Sequence, residues 1–260
     1  MTPTDPVDPA ASPRSLRPVG IAGWLATVVI FASLFLMTGH GTAEPDFDAP
    51  AAEIQRYLET RTAGLFAVGA SLFVVGLCAL LWFFCGLSAA LRRHAAGPEW
   101  LPGVVAASGT AAVAVLLLGT QEAAVFRVDD GVDAQISRFA FDLGSVGFAN
   151  AWVTLGSIGI ASGWAILATR PDPADPSGSG GSDRSGGSGW PGWLGWWVLA
   201  AGVGLVLARP FWTTYAWLIP YALFWTWVLT VSTRMLEVRG STRRRTPQPP
   251  GLRSNTSSAS

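Results

Sequence analysis

The chain has 260 residues, of which 50% are hydrophobic and only 13% are charged, and its formal net charge is zero. A soluble domain carries roughly 25% charged residues, so this composition excludes an ordinary soluble protein and indicates one that contacts lipid. The hydrophobic residues are gathered into six long runs. Each run is near the ~20 residues that a helix needs to cross about 30 Å of hydrocarbon.

These runs predict an all-α, polytopic transmembrane helical bundle with six membrane-spanning helices. Lipid offers backbone groups no partner outside a helix or a closed barrel, and the runs lack the alternating pattern of barrel strands. In chain order the runs are Val19–Met37, Ala63–Leu91, Leu101–Phe126, Phe139–Thr169, Pro191–Ala208 and Trp212–Thr233. One alternative for the first run is a signal peptide cleaved near Gly41-Thr42-Ala43. Its apolar core exceeds the usual 7–15 residues, so we expect an uncleaved span.

The Arg residues predict the orientation, because the chain contains no Lys. With both termini cytoplasmic, 12 Arg lie inside and 5 outside, as the positive-inside rule requires. The acidic residues divide the other way, with 7 inside and 10 outside. We therefore expect a multi-pass protein of the cell (cytoplasmic) membrane, with acidic outer loops at 39–62 and 127–138.

Composition divides the chain into five parts. Residues 1–17 are rich in Pro and predict a disordered cytoplasmic tail. Residues 18–170 predict a four-span membrane bundle, 171–189 a flexible Gly/Ser linker, and 190–237 a final two-span hairpin. Residues 238–260 predict a basic, disordered cytoplasmic tail. Its Arg243-Arg244-Arg245 run suits an anionic leaflet, and no nucleic acid is expected because a folded domain and interleaved aromatic residues are missing.

Two local patterns concern packing. Asp48-Ala49-Pro50 predicts the start of a short amphipathic helix, with Ile54 and Leu58 on one side, that rests on the outer surface or leads into the second span. Gly159 and Gly163 have the small-xxx-small spacing that lets helices approach closely. We therefore expect the fourth span to pack tightly against a neighbour.

The sixth run carries a proline and an aromatic stripe. Pro220 lies in its middle and removes a backbone hydrogen bond, which predicts a helix kink. Trp217, Tyr221 and Phe224 share one helix face and form a candidate aromatic pocket, with ordinary packing as the alternative.

Catalytic and metal-binding motifs are missing from the sequence, so neither an enzyme, a cofactor nor a metal site is expected. His40 and His94 are the two histidines and lie far apart in the chain. Cys78 and Cys85 lie about 10.5 Å apart along one helix face and cannot bridge each other. We expect both to be small buried apolar side chains.

Glu122 is the acidic residue whose position is least explained by interactions within its own predicted helix. We expect it in the last turns of the third span, where negative charge is disfavoured, with Arg209 as its partner and His40 as the second choice. Asp142 is expected in the first turn of its helix, four residues from Arg138. Together with His40 these residues form a candidate outer polar cluster. Two interpretations stay open for it, a set of salt bridges that pins helix ends and a ligand or proton site.

Three stretches carry a resemblance to known proteins. They are IQRYLETRTAGLFAVGASLFVVGLCALLWFFCGLSAALRR, EWLPGVVAASGTAAVAVLLLGT and WPGWLGWWVLAAGVGLVL. They resemble a broad group of uncharacterised multi-pass membrane proteins from actinobacteria, whose Arg-only, Ala-, Gly- and Pro-rich composition is similar. The resemblance covers most of residues 50–208 and implies no substrate, cofactor or catalytic residue.

The sequence favours an integral membrane protein that acts as a binding, sensory or structural component with an outward-facing polar cluster and an unknown ligand. The alternative is a transporter of small solutes, ions or protons, for which Asn150 and Thr214 supply polar groups within spans. An intramembrane enzyme ranks third. The expected partners are the lipid bilayer and either another membrane protein or further copies of the chain.

Overall fold

The computed structural model describes residues 16–38, 44–61, 63–94, 97–127, 130–168 and 190–237. These residues form α-helices and short 3₁₀ turns, and none of them forms a strand. The α-helices are α1 (Arg17–Met37), α2 (Ala51–Glu59), α3 (Ala63–His94), α4 (Leu101–Leu116), α5 (Thr120–Arg127), α6 (Ala134–Ala168), α7 (Gly192–Ala208) and α8 (Leu218–Glu237). The predicted linker at 171–189 lies outside the described residues, as do residues 1–15 and 238–260.

Six segments are long and apolar enough to cross a membrane, which confirms the predicted all-α bundle of six spans. They correspond to α1, α3, α4 with α5, α6, α7, and α8 with the turn before it. Four of the runs match their helices closely. The largest differences are at α6, which begins five residues before the predicted Phe139, and at α8, which begins six residues after the predicted Trp212.

The sequence predicted the third span as one continuous helix, and this prediction is wrong. α4 ends at Leu116 and α5 begins at Thr120, with Gly119 between them at a φ of 57°. Only glycine adopts this backbone conformation without strain. The apolar run continues across the break, so hydrophobicity gives no sign of it.

Pro220 does not lie in the middle of a helix. α8 begins at Leu218, so Pro220 is in the first turn, where a backbone N–H has no partner within the helix. The expected kink is therefore wrong. The proline ring instead packs against Gly204 of α7, where an added Cβ would lie 2.8 Å from the Pro220 Cβ.

Helices α6 and α7 touch backbone to backbone. A Cβ on Gly159 would lie 2.8 Å from the carbonyl oxygen of Val198, and one on Gly163 would lie 2.7 Å from that of Gly195. Real side chains do not fit at such distances, so the predicted close packing of the fourth span is confirmed. The small residues allow extensive van der Waals contact, which drives helix association in lipid.

The six spans form a closed ring in chain order. Each of α1, α3, α4, α6, α7 and α8 packs against the next, and α8 returns to α1. The final hairpin, which the sequence left without a position, thus closes the ring between α6 and α1. Its interior is filled by buried apolar side chains from all six helices.

The ring has two ends, which we name by their contents. Gly20, near the start of α1, lies against Ser232 and Leu236, near the end of α8. This end is therefore the termini face. The opposite end, where α1 stops and α8 begins, carries α2 and α5 and is called the α2 face.

The two cysteines lie on the outside of the ring. Cys78 and Cys85 are free and exposed on α3, so the expectation that they are buried is wrong. Trp82 lies between them and is 73% exposed. This side of α3 is directed away from the other helices.

Candidate functional site on the α2 face

Helix α2 is the amphipathic helix that the sequence predicted, and it rests on the end of the bundle. Pro50 precedes its first turn, and Glu53 within that turn suits the positive end of the helix dipole. Ile54 and Leu58 are buried, with 0% and 1% exposure, whereas Glu53 and Arg56 are exposed. The apolar side of α2 therefore packs on protein, and its polar side remains accessible.

Under α2 lies a second apolar core, separate from the interior of the ring. It comprises Ala49, Ile54, Tyr57, Leu58, Phe66, Ala70, Ala124, Val125 and Phe141. The ring of Tyr57 meets that of Phe141 edge-on, with centroids 6.3 Å apart. This core joins α2 to α3, α5 and α6, so the α2 face has an ordered interior of its own.

Arg61 links α2 and the core beneath it, together called the cap, to the spans. Its Nη1 donates to the carbonyl oxygen of Met37 at 2.6 Å, and its Nη2 donates to the hydroxyl of Tyr57. Its Cζ also lies 4.4 Å from the centroid of the Tyr57 ring and 5.6 Å from that of Phe66. Met37 ends α1, where carbonyl groups lack helical partners and a cation is favoured. These four residues, which join α1, α2 and α3, are called the Arg61 clamp.

The clamp also sets the ionisation of its neighbours. Burial raises the pKa of Tyr57, an effect that Arg61 opposes and the nearby Glu44 reinforces. Tyr57 therefore keeps its proton at neutral pH and accepts the hydrogen bond from Arg61 as a neutral hydroxyl. Although Glu44 is exposed on one side, the protein atoms packed around it raise its pKa, and Arg61 partly offsets this rise. The Nε of Arg61 is buried and has no hydrogen-bond partner among the described residues.

The structure places Glu122 differently from the sequence prediction. Because the third span is broken, Glu122 lies in the first turn of α5, where the helix dipole favours an acidic side chain. The expectation that it lies in the last turns of its helix is wrong. Arg209 donates from Nε to Oδ1 of Asn150 at 2.9 Å, and no ion pair between Arg209 and Glu122 is present in the described part of the chain.

Two other members of the predicted polar cluster do meet. The Nε of Arg138 lies 3.7 Å from Oδ2 of Asp142, an ion pair within α6. Because α6 begins at Ala134, Asp142 is more than two turns into the helix, and its predicted place in the first turn is wrong. His40 lies outside the described residues. The five predicted residues therefore do not form one cluster among the described side chains.

Gln121, and not Glu122, fastens α5 to the bundle. Its Nε2 donates to the carbonyl oxygen of Phe141 at 3.3 Å and to the hydroxyl of Ser145 at 3.2 Å. Both acceptors belong to α6. This contact positions α5 beneath α2 and completes the wall of the second core.

The predicted aromatic residues pack into the ring and do not surround a pocket together. Trp217 stacks on Trp152 with ring centroids 4.9 Å apart and meets Tyr221 edge-on at 5.6 Å. Phe224 is fully buried and contacts Trp225. Tyr221 lines a cavity of about 10 Å³, which has room for roughly one water molecule. The cavity is too small for a larger ligand.

The Arg61 clamp has little signature in the sequence. The available signal was the spacing of Tyr57 and Arg61, four residues apart and therefore able to meet along one turn of chain. The contact with Met37 spans 24 residues and has no local signature. Among the described residues, no group of three or more His, Cys, Asp or Glu side chains could hold a metal ion.

Comparison with known proteins finds no matching family model, no matching curated protein and no matching solved structure. The resemblance to actinobacterial membrane proteins stays a prediction from the sequence. The candidate site is therefore defined by its geometry, an amphipathic helix docked through Arg61 on the end of a six-span ring.

Proposed function

We propose that this chain is a non-conducting integral membrane protein whose α2 face binds a ligand or partner outside the lipid, as a sensory or structural component. One observation carries the proposal. The interior of the ring is filled and apolar, whereas polar groups and an independently packed cap are concentrated at the α2 face.

The buried side chains of the ring support a non-conducting protein. Among the described residues, the buried polar side chains are neutral hydroxyls, namely Thr27, Ser33, Ser88, Ser137, Ser162 and Ser232. The cavity beside Tyr221 measures about 10 Å³ and is lined by apolar and aromatic side chains. An ion or proton pathway would require charged or strongly polar groups facing a water-filled interior.

The distribution of charge supports an orientation with the α2 face outside. By sequence, 12 of the 17 Arg belong to segments that adjoin helix ends at the termini face, and 5 belong to segments that adjoin helix ends at the α2 face. An excess of Arg favours the cytoplasmic side. We therefore propose that the chain lies in the cytoplasmic membrane, with both termini inside the cell.

The transporter alternative draws little support from the two polar residues that suggested it. Asn150 accepts the hydrogen bond from Arg209 and is exposed on the outside of the ring. The hydroxyl of Thr214 accepts from the backbone N–H of Ala216 and begins a 3₁₀ turn. Both residues therefore have structural partners, and neither extends a polar path to the membrane centre.

Flux measurements separate the two functions. The purified chain, reconstituted into liposomes, should give no more flux than protein-free liposomes for a panel of monovalent ions, protons and small solutes. Solute-specific flux that saturates with concentration would overturn the non-conducting assignment.

Single-cysteine labelling tests the exposed surface. In a variant with Cys78 and Cys85 replaced by Ala, an impermeant thiol reagent on intact cells should label Glu53→Cys on α2 and leave Glu237→Cys unlabelled. The reverse pattern would refute the orientation. A photoreactive cross-linker on Glu53→Cys should then form a discrete adduct that is lost when Arg61→Met releases α2. If no adduct forms in intact cells, the binding role is refuted.

A further inference from the structure

A basic and aromatic site lies on the opposite end of the ring, where α7 begins and α8 ends. Arg234 is in the last turn of α8 and is exposed. Its Cζ lies 5.6 Å from the centroid of the Trp193 ring, in the first turn of α7. The indole thus holds the guanidinium by a cation–π contact at the edge of the hydrophobic segment.

No residue that the structure describes accepts a hydrogen bond from Arg234. A guanidinium carries five N–H donors in its plane, and stacking on a ring occupies its face and leaves these donors free. Among the described residues, no carboxylate lies within ion-pair distance of Arg234. A positioned Arg with free donors matches the geometry of a phosphate, which accepts two parallel hydrogen bonds.

The surroundings of this Arg are those of the lipid interface. Thr233, its neighbour on α8, accepts a hydrogen bond from the indole N–H of Trp24 at 3.1 Å. Trp24 and Trp193 are 40% and 48% exposed, and indole rings favour the headgroup level of a bilayer. Arg234 and its neighbour Thr233 thus each lie beside an indole, and we expect both at the depth where lipid phosphates occur.

An apolar track leads from this position along the outside of α7. Trp193, Trp196 and Val203 are 48%, 56% and 40% exposed, and their spacing places them on one side of the helix. The rise from Trp193 to Val203 is about 15 Å at 1.5 Å per residue, half of the ~30 Å hydrocarbon core and so the depth of one leaflet. The track continues the site from the headgroup level into the hydrocarbon.

The charge of the termini face selects among lipids. Arg17, Arg92 and Arg93 lie on this face with Arg234, against the acidic residues Glu99 and Glu237, so its described residues carry a net charge of +2. An anionic headgroup is attracted to such a surface, whereas a zwitterionic headgroup brings its own positive charge.

We propose that Arg234, Trp193 and the exposed track of α7 form a binding site for an anionic phospholipid in the leaflet at the termini face. The phosphate accepts hydrogen bonds from Arg234, the indole of Trp193 packs beside the headgroup, and an acyl chain lies along Trp196 and Val203. The proposal concerns the face opposite α2 and is independent of what binds there.

Native mass spectrometry of the full chain in detergent, titrated with phosphatidylglycerol or phosphatidylcholine, tests the site. The wild-type chain should bind phosphatidylglycerol at least about fivefold more tightly than phosphatidylcholine. This ratio corresponds to the roughly 1 kcal/mol that one Arg contributes near an anionic surface. Arg234→Gln should remove most of this preference, and Trp193→Leu should weaken it. The matched control is Arg127→Gln, because Arg127 is exposed on the α2 face and already pairs with Asp130 at 3.1 Å. This control should behave as the wild type.

Three outcomes would overturn the proposal. One is equal affinity for the two lipids in the wild type, and another is an equal loss of preference in Arg127→Gln and Arg234→Gln. The third is displacement of phosphatidylglycerol by millimolar inorganic phosphate, which would identify a site for a soluble anion. Far-UV circular dichroism checks folding. If Arg234→Gln unfolds, Trp193→Leu, which retains the charge, decides whether the headgroup is positioned by the indole.

Discussion

Replacing Arg61 with Met should release α2 from the bundle while leaving the spans folded. Met keeps an apolar stem, but it loses the hydrogen bonds to Met37 and Tyr57 and the cation–π contacts. Hydrogen bonds from a charged group contribute roughly 1.5–3 kcal/mol each and a cation–π contact about 0.5–1 kcal/mol. Because Arg61 is partly exposed, these contributions are reduced by solvent. The substitution also removes a buried Nε that has no partner, which offsets part of the loss. The free energy of opening α2 should therefore fall by about 2–4 kcal/mol.

Hydrogen exchange measures this opening directly. The backbone amides of α2 should exchange about 30 to 900 times faster in Arg61→Met, since each 1.36 kcal/mol corresponds to a factor of ten. The matched control is Arg56→Met, because Arg56 is exposed and its Nε, among the described residues, donates to the carbonyl oxygen of Ala52 in the same helix, at 3.2 Å. Its amides should exchange nearly as in the wild type. Equal protection of α2 in the two variants would refute the role assigned to Arg61, and a loss of protection throughout α1 and α3 would show global unfolding instead.

Two further predictions concern packing and pairing. Gly202→Ala places a Cβ 2.6 Å from a backbone oxygen of α6 and should destabilise the chain by about 1–3 kcal/mol in mixed-micelle unfolding. Gly147→Ala, with nothing within 4 Å, should stabilise it by about 0.5–1 kcal/mol, and effects of the same sign would contradict the close packing of α6 and α7. Double-mutant cycles should give a coupling of about 1 kcal/mol between Arg209 and Asn150. They should give none between Arg209 and Glu122, and the opposite result would restore the pairing expected from the sequence.

The number and type of spans followed from the sequence because the requirement for them is local. Any helix that crosses lipid must carry about 20 apolar residues, so each run predicts a spanning helix from its own residues alone. The same holds for α2, whose buried Ile54 and Leu58 are one turn apart. The close approach at Gly159 could also be predicted, because small residues four positions apart let helices in membranes pack closely.

The position of Glu122 within its helix could not be predicted from local sequence. Leu116 to Leu118 continue the apolar pattern, so nothing in the hydrophobicity separates α4 from α5. The break depends on the backbone conformation of Gly119, and glycines occur throughout the spans of this chain. Once the helix ends there, Glu122 changes from an acid at an unfavourable helix end to one at a favourable end. Its need for Arg209 disappears with that change.

The Arg61 clamp could not be predicted as a whole, because its parts come together only when α1, α2 and α3 have packed. Tyr57 and Arg61 are local to each other, but Met37 contributes a backbone carbonyl that any residue would supply. A sequence pattern reports side-chain types, and it carries no information on which helix end lies beside a given Arg.

The length of α6 has a consequence for how a ligand would meet the α2 face. Its 35 residues extend about 52 Å at 1.5 Å per residue, more than the 40–45 Å of a whole bilayer with its headgroups. Phe141, on which Tyr57 packs, is 27 residues before the end of α6 and so about 40 Å from it. We therefore expect α2, which packs on Phe141 of α6, to stand at the outer edge of the headgroup layer. A soluble ligand or an antibody fragment would reach Glu53 and Arg56 from water without displacing lipid.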